Sequence, residues 1–327
     1  KNNIKNHVLY RELANNSNLK LRILYLIKKF GPITKQELSN ILGINLNTIN
    51  NLVNYINNNY KLILEINNKK ITGGRRAHLY AINSKAAFTI GVDVGGENFR
   101  VILTDLEGNI IKAVKEKTVQ KKDPKFLLEK ILNNIKNIIV SSNISIKEIL
   151  GGGVCVSVSV LDLDGGKTIF CPNIKSWNNF NVRKEFEDKL NIPFLIDDSV
   201  RSMAVAEKEY GVAKKYDNFI FVGLGRGIGI GVFVYGKLYR GSRGVAGELG
   251  HIKVLENGPV CVCGNKGCLE VIASSIGIIQ RAKKGIDDGI ETILNSKING
   301  NYNNLSVELI ADAATKGDKF SYNLITL

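Results

Sequence analysis

The stretch Phe88-Thr89-Ile90-Gly91-Val92-Asp93-Val94-Gly95-Gly96 runs as an apolar strand into an acid and a pair of glycines. Two strands follow, Val101 to Thr104 and Asn109 to Val114, across a turn at Asp105 to Gly108. A hairpin with such a glycine loop can cradle a phosphate through its backbone amides, because glycine lets the chain approach closely. Far downstream, Gly225-Arg226-Gly227-Ile228-Gly229 places a second glycine loop between apolar strands. Two such loops on similar β-meanders predict a two-lobed α/β domain of duplicated halves, with a ligand cleft between them.

Working upstream, the composition changes near Ala81 to Ala87. Four of the 32 glycines precede residue 86 and 28 follow it. Residues 1–85 hold 14 Lys and Arg against Glu12, Glu37 and Glu65, a net of +11, whereas the remaining 242 residues hold 31 against 27, a net of +4. A basic segment joined to a nearly balanced body points to a polyanion partner for the first part alone. The reading is a DNA-binding module over residues 1–80, a linker over 81–87, and the α/β domain over 88–327.

Within the first part, Leu19, Ile23, Leu24, Leu26, Ile27 and Phe30 follow helical spacing until Gly31-Pro32. Thr34 and Glu37 are spaced as a capping box for a second helix running to Leu42, and Gly43 permits a sharp turn. Asn45 is a good N-cap for a third helix that buries Ile49, Leu52, Val53 and Ile56. The arrangement is a helix-turn-helix, mainly α, whose last helix enters the major groove. Its exposed side offers Asn45, Asn47, Thr48, Asn50, Asn51 and Asn54, and asparagine pairs bidentately with adenine. Leu62, Leu64 and Ile66, a turn at Asn67 to Lys70, and Ile71 read as a β-hairpin wing. Arg75 and Arg76, after Gly73-Gly74, can reach phosphates or a narrow minor groove.

Other classes are excluded by what the chain lacks. No apolar run approaches the roughly 20 residues of a membrane span, and Lys1-Asn2-Asn3-Ile4-Lys5 has no apolar core of a signal peptide, so a cytoplasmic protein is expected. Of five cysteines, Cys261, Cys263 and Cys268 crowd into eight residues, which suits a metal site in a reducing compartment better than a disulfide framework. Cys155 and Cys171 read as core residues.

Pro32-Ile33-Thr34-Lys35-Gln36-Glu37-Leu38, Gly43-Ile44-Asn45 and Gly73-Gly74-Arg75-Arg76 resemble the winged helix of the ROK family of repressors and sugar kinases. Gly247-Glu248-Leu249-Gly250-His251 and Cys261-Val262-Cys263 through Cys268-Leu269-Glu270 resemble the family's zinc signature. The resemblance implies an actin-like, ribonuclease H-like sugar-kinase fold whose second lobe is expected to be completed beyond Leu327. It implies a closed structural Zn2+ site of His251, Cys261, Cys263 and Cys268, with no ligand position left for water. It further implies a monosaccharide held by Asn173, Asp198, Glu248, His251 and Glu270, groups that pair well with vicinal hydroxyls.

The chain departs from the resembled kinases at the reacting group. Their Glu-Asn-Asp-Ala-Asn segment reads here Asp197-Asp198-Ser199-Val200-Arg201, which puts Ser199 on the aspartate base; a one-residue slip would put Asp198 there. A serine hydroxyl cannot take a sugar proton near neutral pH. Glu97-Asn98 also replaces threonine and lysine in the first loop, Arg226 replaces threonine in the second, and Val158-Ser159 replaces Pro-Gly. The expected protein is a dimeric or higher-order repressor of carbohydrate-utilisation genes, nearest to xylose repressors, with a double-stranded DNA operator, a sugar inducer and no enzymatic activity. The alternatives are an ATP-dependent, glucokinase-like ROK sugar kinase and a DNA-binding protein whose effector is another protein.

Overall fold

The computed structural model of the protein describes residues 19–72, 75–119, 121–242 and 244–326, with the backbone alone for residues 67–72 and 75–77. It forms two compact units, one from residues up to Ser157 plus Asp162–Asp197, the other from Val158–Leu161 plus Asp198–Leu327.

The first unit opens with helices α1 (Leu19–Phe30), α2 (Lys35–Leu42) and α3 (Leu46–Tyr60) and strands β1 (Ile33–Thr34), β2 (Ile63–Thr72) and β3 (Arg75–Ile82) in the order β1-β3-β2. The expected capping box is formed: Glu37 N donates to Thr34 Oγ1 at 3.1 Å, and Thr34 N donates to Glu37 Oε2 at 2.8 Å. Gly43 ends α2 in the left-handed region at φ 66°, which a β-carbon disfavours. Asn45 then caps α3 through Thr48 N at 2.8 Å. Ile23, Ile27, Leu38, Ile49, Val53 and Ile56 meet with Leu62, Ile63 and Tyr80 in one buried cluster, and Leu106 and Leu150 pack on it from the following lobe.

The hairpin differs from its sequence reading. Thr72 faces Arg75, so β2 and β3 join through residues 73–74, which lie outside the described residues; the expected turn at Asn67 to Lys70 is instead an irregularity in the register between Ile66 and Lys70. Polar residues do not by themselves end a strand whose backbone groups still find a partner strand. The expected linker over 81–87 carries the end of β3 and a single turn of 3-10 helix (Ser84–Ala86), tied down by Asn83 Nδ2 to Lys61 O and by Leu106 N to Ser84 O.

The lobe that follows holds β4 (Phe88–Val94), β5 (Asn98–Asp105), β6 (Ile110–Lys117), α4 (Pro124–Ser141), β7 (Ile149–Val156), the short strands β8 (Val160–Asp162) and β9 (Lys167–Phe170), α5 (Val182–Leu190) and β10 (Phe194–Asp198). Its sheet has the order β10-β7-β4-β5-β6, with β4, β5 and β6 an antiparallel meander and β7 parallel to β4. Helix α4 begins with Asp123 as cap and Pro124, whose missing N–H costs nothing in a first turn, and buries Leu127, Leu128, Ile131, Leu132 and Ile135. Cys171 is fully buried, and burial pushes its thiol up to about 12; Cys155 is only half-buried.

The second unit holds α6 (Ser199–Tyr210) and a second meander, β11 (Phe219–Leu224), β12 (Ile228–Val234) and β13 (Lys237–Tyr239), in that order and antiparallel. Phe219 stacks on Phe233 across the first pair at 4.7 Å between centroids. Helices α7 (Leu269–Ala273), α8 (Ser275–Asp287), α9 (Leu294–Ile298), α10 (Val307–Thr315) and α11 (Lys319–Ile325) follow. Ala282, Leu294, Ile298, Ile310 and Leu324 form the core shared by α8 to α11. Among the described residues no helix is long and apolar enough to cross a membrane.

The capping box carries a measurable share of the first module's stability. Replacing Thr34 by Ala is expected to lower the unfolding free energy by about 1 to 2 kcal/mol, read from urea unfolding followed by far-ultraviolet circular dichroism.

Candidate functional site

The functional side chains of the second unit lie on three pieces of chain: the first turn of α6, the loop at Gly247–His251, and the segment from Cys261 into α7. Gly247 sits at φ 107°, and a β-carbon there would fall 2.1 Å from Ile230 O, so no other residue fits without moving β12. Its carbonyl accepts from Ile230 N at 2.9 Å, which ties the loop to β12 and sets the place of Glu248 and His251.

His251, Cys261, Cys263 and Cys268 converge. Their ligand atoms all lie within 4.8 Å of one another, with His251 Nδ1 3.5 Å from Cys261 Sγ and Cys263 Sγ 3.7 Å from Cys268 Sγ. Four ligands at about 2.0 to 2.3 Å around a tetrahedral ion stand about 3.5 to 3.8 Å apart, so the donor set fits a metal ion. The turn is preformed, since Cys261 N donates to Asn265 O at 2.7 Å and Gly264 N to Cys261 O at 2.9 Å. Burial, followed by the neighbouring thiols Cys263 and Cys261, pushes the Cys268 thiol up to about 12. Burial acts the same way on Cys263, but hydrogen bonds with the Asn265 backbone and the thiols of Cys261 and Cys268 outweigh it and lower that thiol.

The carboxylates assemble beside this cluster. Glu248 Oε2 stands 3.6 Å from His251 Nε2, so the imidazole presents one nitrogen to the thiols and the other to the acid. Burial and then Asp198 push the Glu248 carboxyl up to about 7, Arg201 opposes the shift, and Glu270 adds to it. Glu270, in the first turn of α7, accepts at Oε2 from Ile228 N at 2.9 Å. Ser275 holds the other end of that glycine loop, through Gly225 O, with both its N and Oγ at 2.9 Å. The second glycine loop is thereby fastened to the helices that follow Cys268.

Asp198 caps α6, accepting from Val200 N at 2.9 Å and Arg201 N at 3.1 Å. Ser199 opens the helix with its hydroxyl buried and, among the described residues, without a hydrogen-bond partner.

In the first unit, Asn173 donates through Nδ2 to Ser157 Oγ at 2.9 Å, and Asn178 holds the preceding loop by accepting from Cys171 N at 2.7 Å. At the first glycine loop, Asp93 Oδ2 pairs with Arg100 Nη1 at 2.7 Å, and Glu97 is exposed with its carbonyl accepting from Thr118 N. On α3, Asn47, Asn51 and Asn54 are exposed and Asn50 is half-buried. The Asn45 carbonyl is committed to the helix cap, taking both Thr48 N and Thr48 Oγ1, and Asn54 Oδ1 accepts from Lys35 Nζ at 3.2 Å. The side chains of Arg75 and Arg76 lie outside the described residues.

Ser157, Arg201 and Arg100 were not singled out by the sequence. Arg100 alone had a readable signal, since a hairpin counted from Gly95-Gly96 sets it opposite Asp93.

The model of the ROK family matches residues 89–327. The chain belongs to the ROK family. It is 34% identical to a xylose repressor of Bacillus subtilis over 254 residues, which covers 78% of this chain and 65% of the relative, so the chain spans just under two thirds of that protein's length. A solved ROK family transcriptional regulator, described as a homologue of the Escherichia coli MLC protein, aligns with TM-score 0.77 and 24% identity over 93% of this chain and 74% of its own. A ROK family glucokinase from Streptomyces griseus, solved with glucose and AMPPNP, aligns with TM-score 0.60 and 26% identity over 73% of this chain and 74% of its own. The two meanders are therefore those of the ROK actin-like sugar-kinase fold.

The Asp198 cap makes a prediction that separates its helix role from any other. Asp198→Ala is expected to cost about 1 to 2 kcal/mol of stability, whereas Asp198→Asn, which keeps an acceptor, costs less than about 0.5. Equal losses in urea melts of the two variants would show that capping is not what the carboxylate contributes.

Proposed function

We propose that this ROK protein is a sugar-responsive transcriptional repressor of carbohydrate-utilisation genes. The observation that carries the reading is the basic three-helix and hairpin module that precedes the ROK portion in the same chain. We read it as a winged helix-turn-helix with α3 in the major groove, where Asn47, Asn50, Asn51 and Asn54 reach base edges and Asn45 and Thr48 set the helix start. Arg75 and Arg76 are assigned to backbone or minor-groove contacts. A homodimer would present two such modules to a palindromic operator.

In the second unit, Asp198, Glu248, His251 and Glu270 are assigned to a monosaccharide effector. Carboxylates accept from vicinal hydroxyls, and a set of several fixes which hydroxyls fit. His251, Cys261, Cys263 and Cys268 would hold a structural Zn2+, which supplies a rigid cross-link and no chemistry. With Ser199 at the position of the kinases' base, the residues support binding without phosphoryl transfer. The sugar releases the operator by favouring the conformation with the weaker DNA affinity.

Two measurements test this. In mobility-shift titrations of the full chain on a duplex selected from random DNA, at least one of D-xylose, D-glucose and N-acetyl-D-glucosamine is expected to weaken binding about tenfold or more. Operator affinity indifferent to all three counts against a sugar switch. ATP turnover with any of these sugars that vanishes in Asp198→Asn would instead favour a kinase. Separately, Cys263→Ser and Cys268→Ser are each expected to strip the zinc, read by atomic absorption on purified protein, and to loosen the 247–268 segment.

A further inference from the structure

Arg201 exposes 3% of its surface, and a guanidinium taken so completely from water has to be compensated where it lies. It belongs to the first turn of α6, whose geometry Asp198 sets by accepting from Arg201 N. From there its Nη1 donates to Ala246 O at 3.5 Å, one residue before Gly247 and two before Glu248. The loop that carries Glu248 is thus gripped from two sides, by β12 through Ile230 N to Gly247 O and by α6 through Arg201.

We propose that Arg201 is a positioning residue of the effector site: its guanidinium fixes the Ala246–Glu248 loop, and with it the place of the Glu248 carboxylate, against α6. The assignment of that carboxylate to a sugar rests on the function proposed above; the hold on the loop does not. A guanidinium suits the task because its planar fork donates in fixed directions, where a lysine ammonium offers only a point charge.

The test uses the full, zinc-loaded chain with Arg201→Met and Arg201→Lys. The expected result for Arg201→Met is hydrogen exchange at the amides of residues 246–251 faster by about tenfold, with α10 and α11 unchanged. D-xylose affinity by calorimetry is expected to fall about tenfold or more, and zinc to stay near one per chain. Arg201→Lys, which keeps the charge, should restore part of both and not all. A merely structural arginine would lower the melting temperature and leave exchange at 246–251 and D-xylose affinity of the folded protein as in the parent; that outcome overturns the proposal. If Arg201→Met does not fold, Arg201→Lys decides alone, since parental exchange and affinity there refute a role for the fork. If the parent chain binds no D-xylose, D-glucose or N-acetyl-D-glucosamine, the sugar reading fails, while the exchange comparison still decides whether Arg201 holds the loop.

Discussion

Four donor atoms packed within 4.8 Å of one another constrain everything around them in the second unit. His251 lies at the end of one loop and Cys268 at the start of α7, so their meeting closes the intervening chain into a knot of fixed ends. Glu248 precedes that knot by three residues and Glu270 follows it by two. Neither acid belongs to a regular element long enough to hold it by itself. Their separation is set by the cluster between them.

The same constraint reaches the second glycine loop. Glu270 accepts from Ile228 N, and Ser275 binds Gly225 O, so both ends of the loop answer to helices that start at the cluster. In a fold shared with glucokinases, such loops lie on matching meanders in the two halves. Here the first loop carries an exposed Glu97 and an Asp93 already paired with Arg100. Negative charge and a committed aspartate are poor company for a triphosphate.

The first module is held differently. It has a small core drawn from three helices and from the strands β1, β2 and β3, with both caps formed by side chains the sequence supplies at the right spacing. Because Asn45 and Thr48 satisfy the start of α3, the asparagines beyond them are free of that duty and line its outer side.

Local rules made much of this legible without coordinates. The helix limits Leu19–Phe30 and Lys35–Leu42, the box of Thr34 and Glu37, the cap at Asn45, the paired meanders and the set of His251 with three cysteines all depend on spacings of a few residues, and near-neighbour chemistry is written in order along the chain. The hairpin join at residues 73–74 was misread because strand length follows from backbone pairing with a partner, which side-chain polarity does not report. Only the tertiary structure decided that Asp93 is paired with Arg100, that Ser157 holds Asn173, and that a buried Arg201 reaches the Ala246 carbonyl from 45 positions away. The strength of an electrostatic contact depends on distance and burial in space, and sequence separation carries neither.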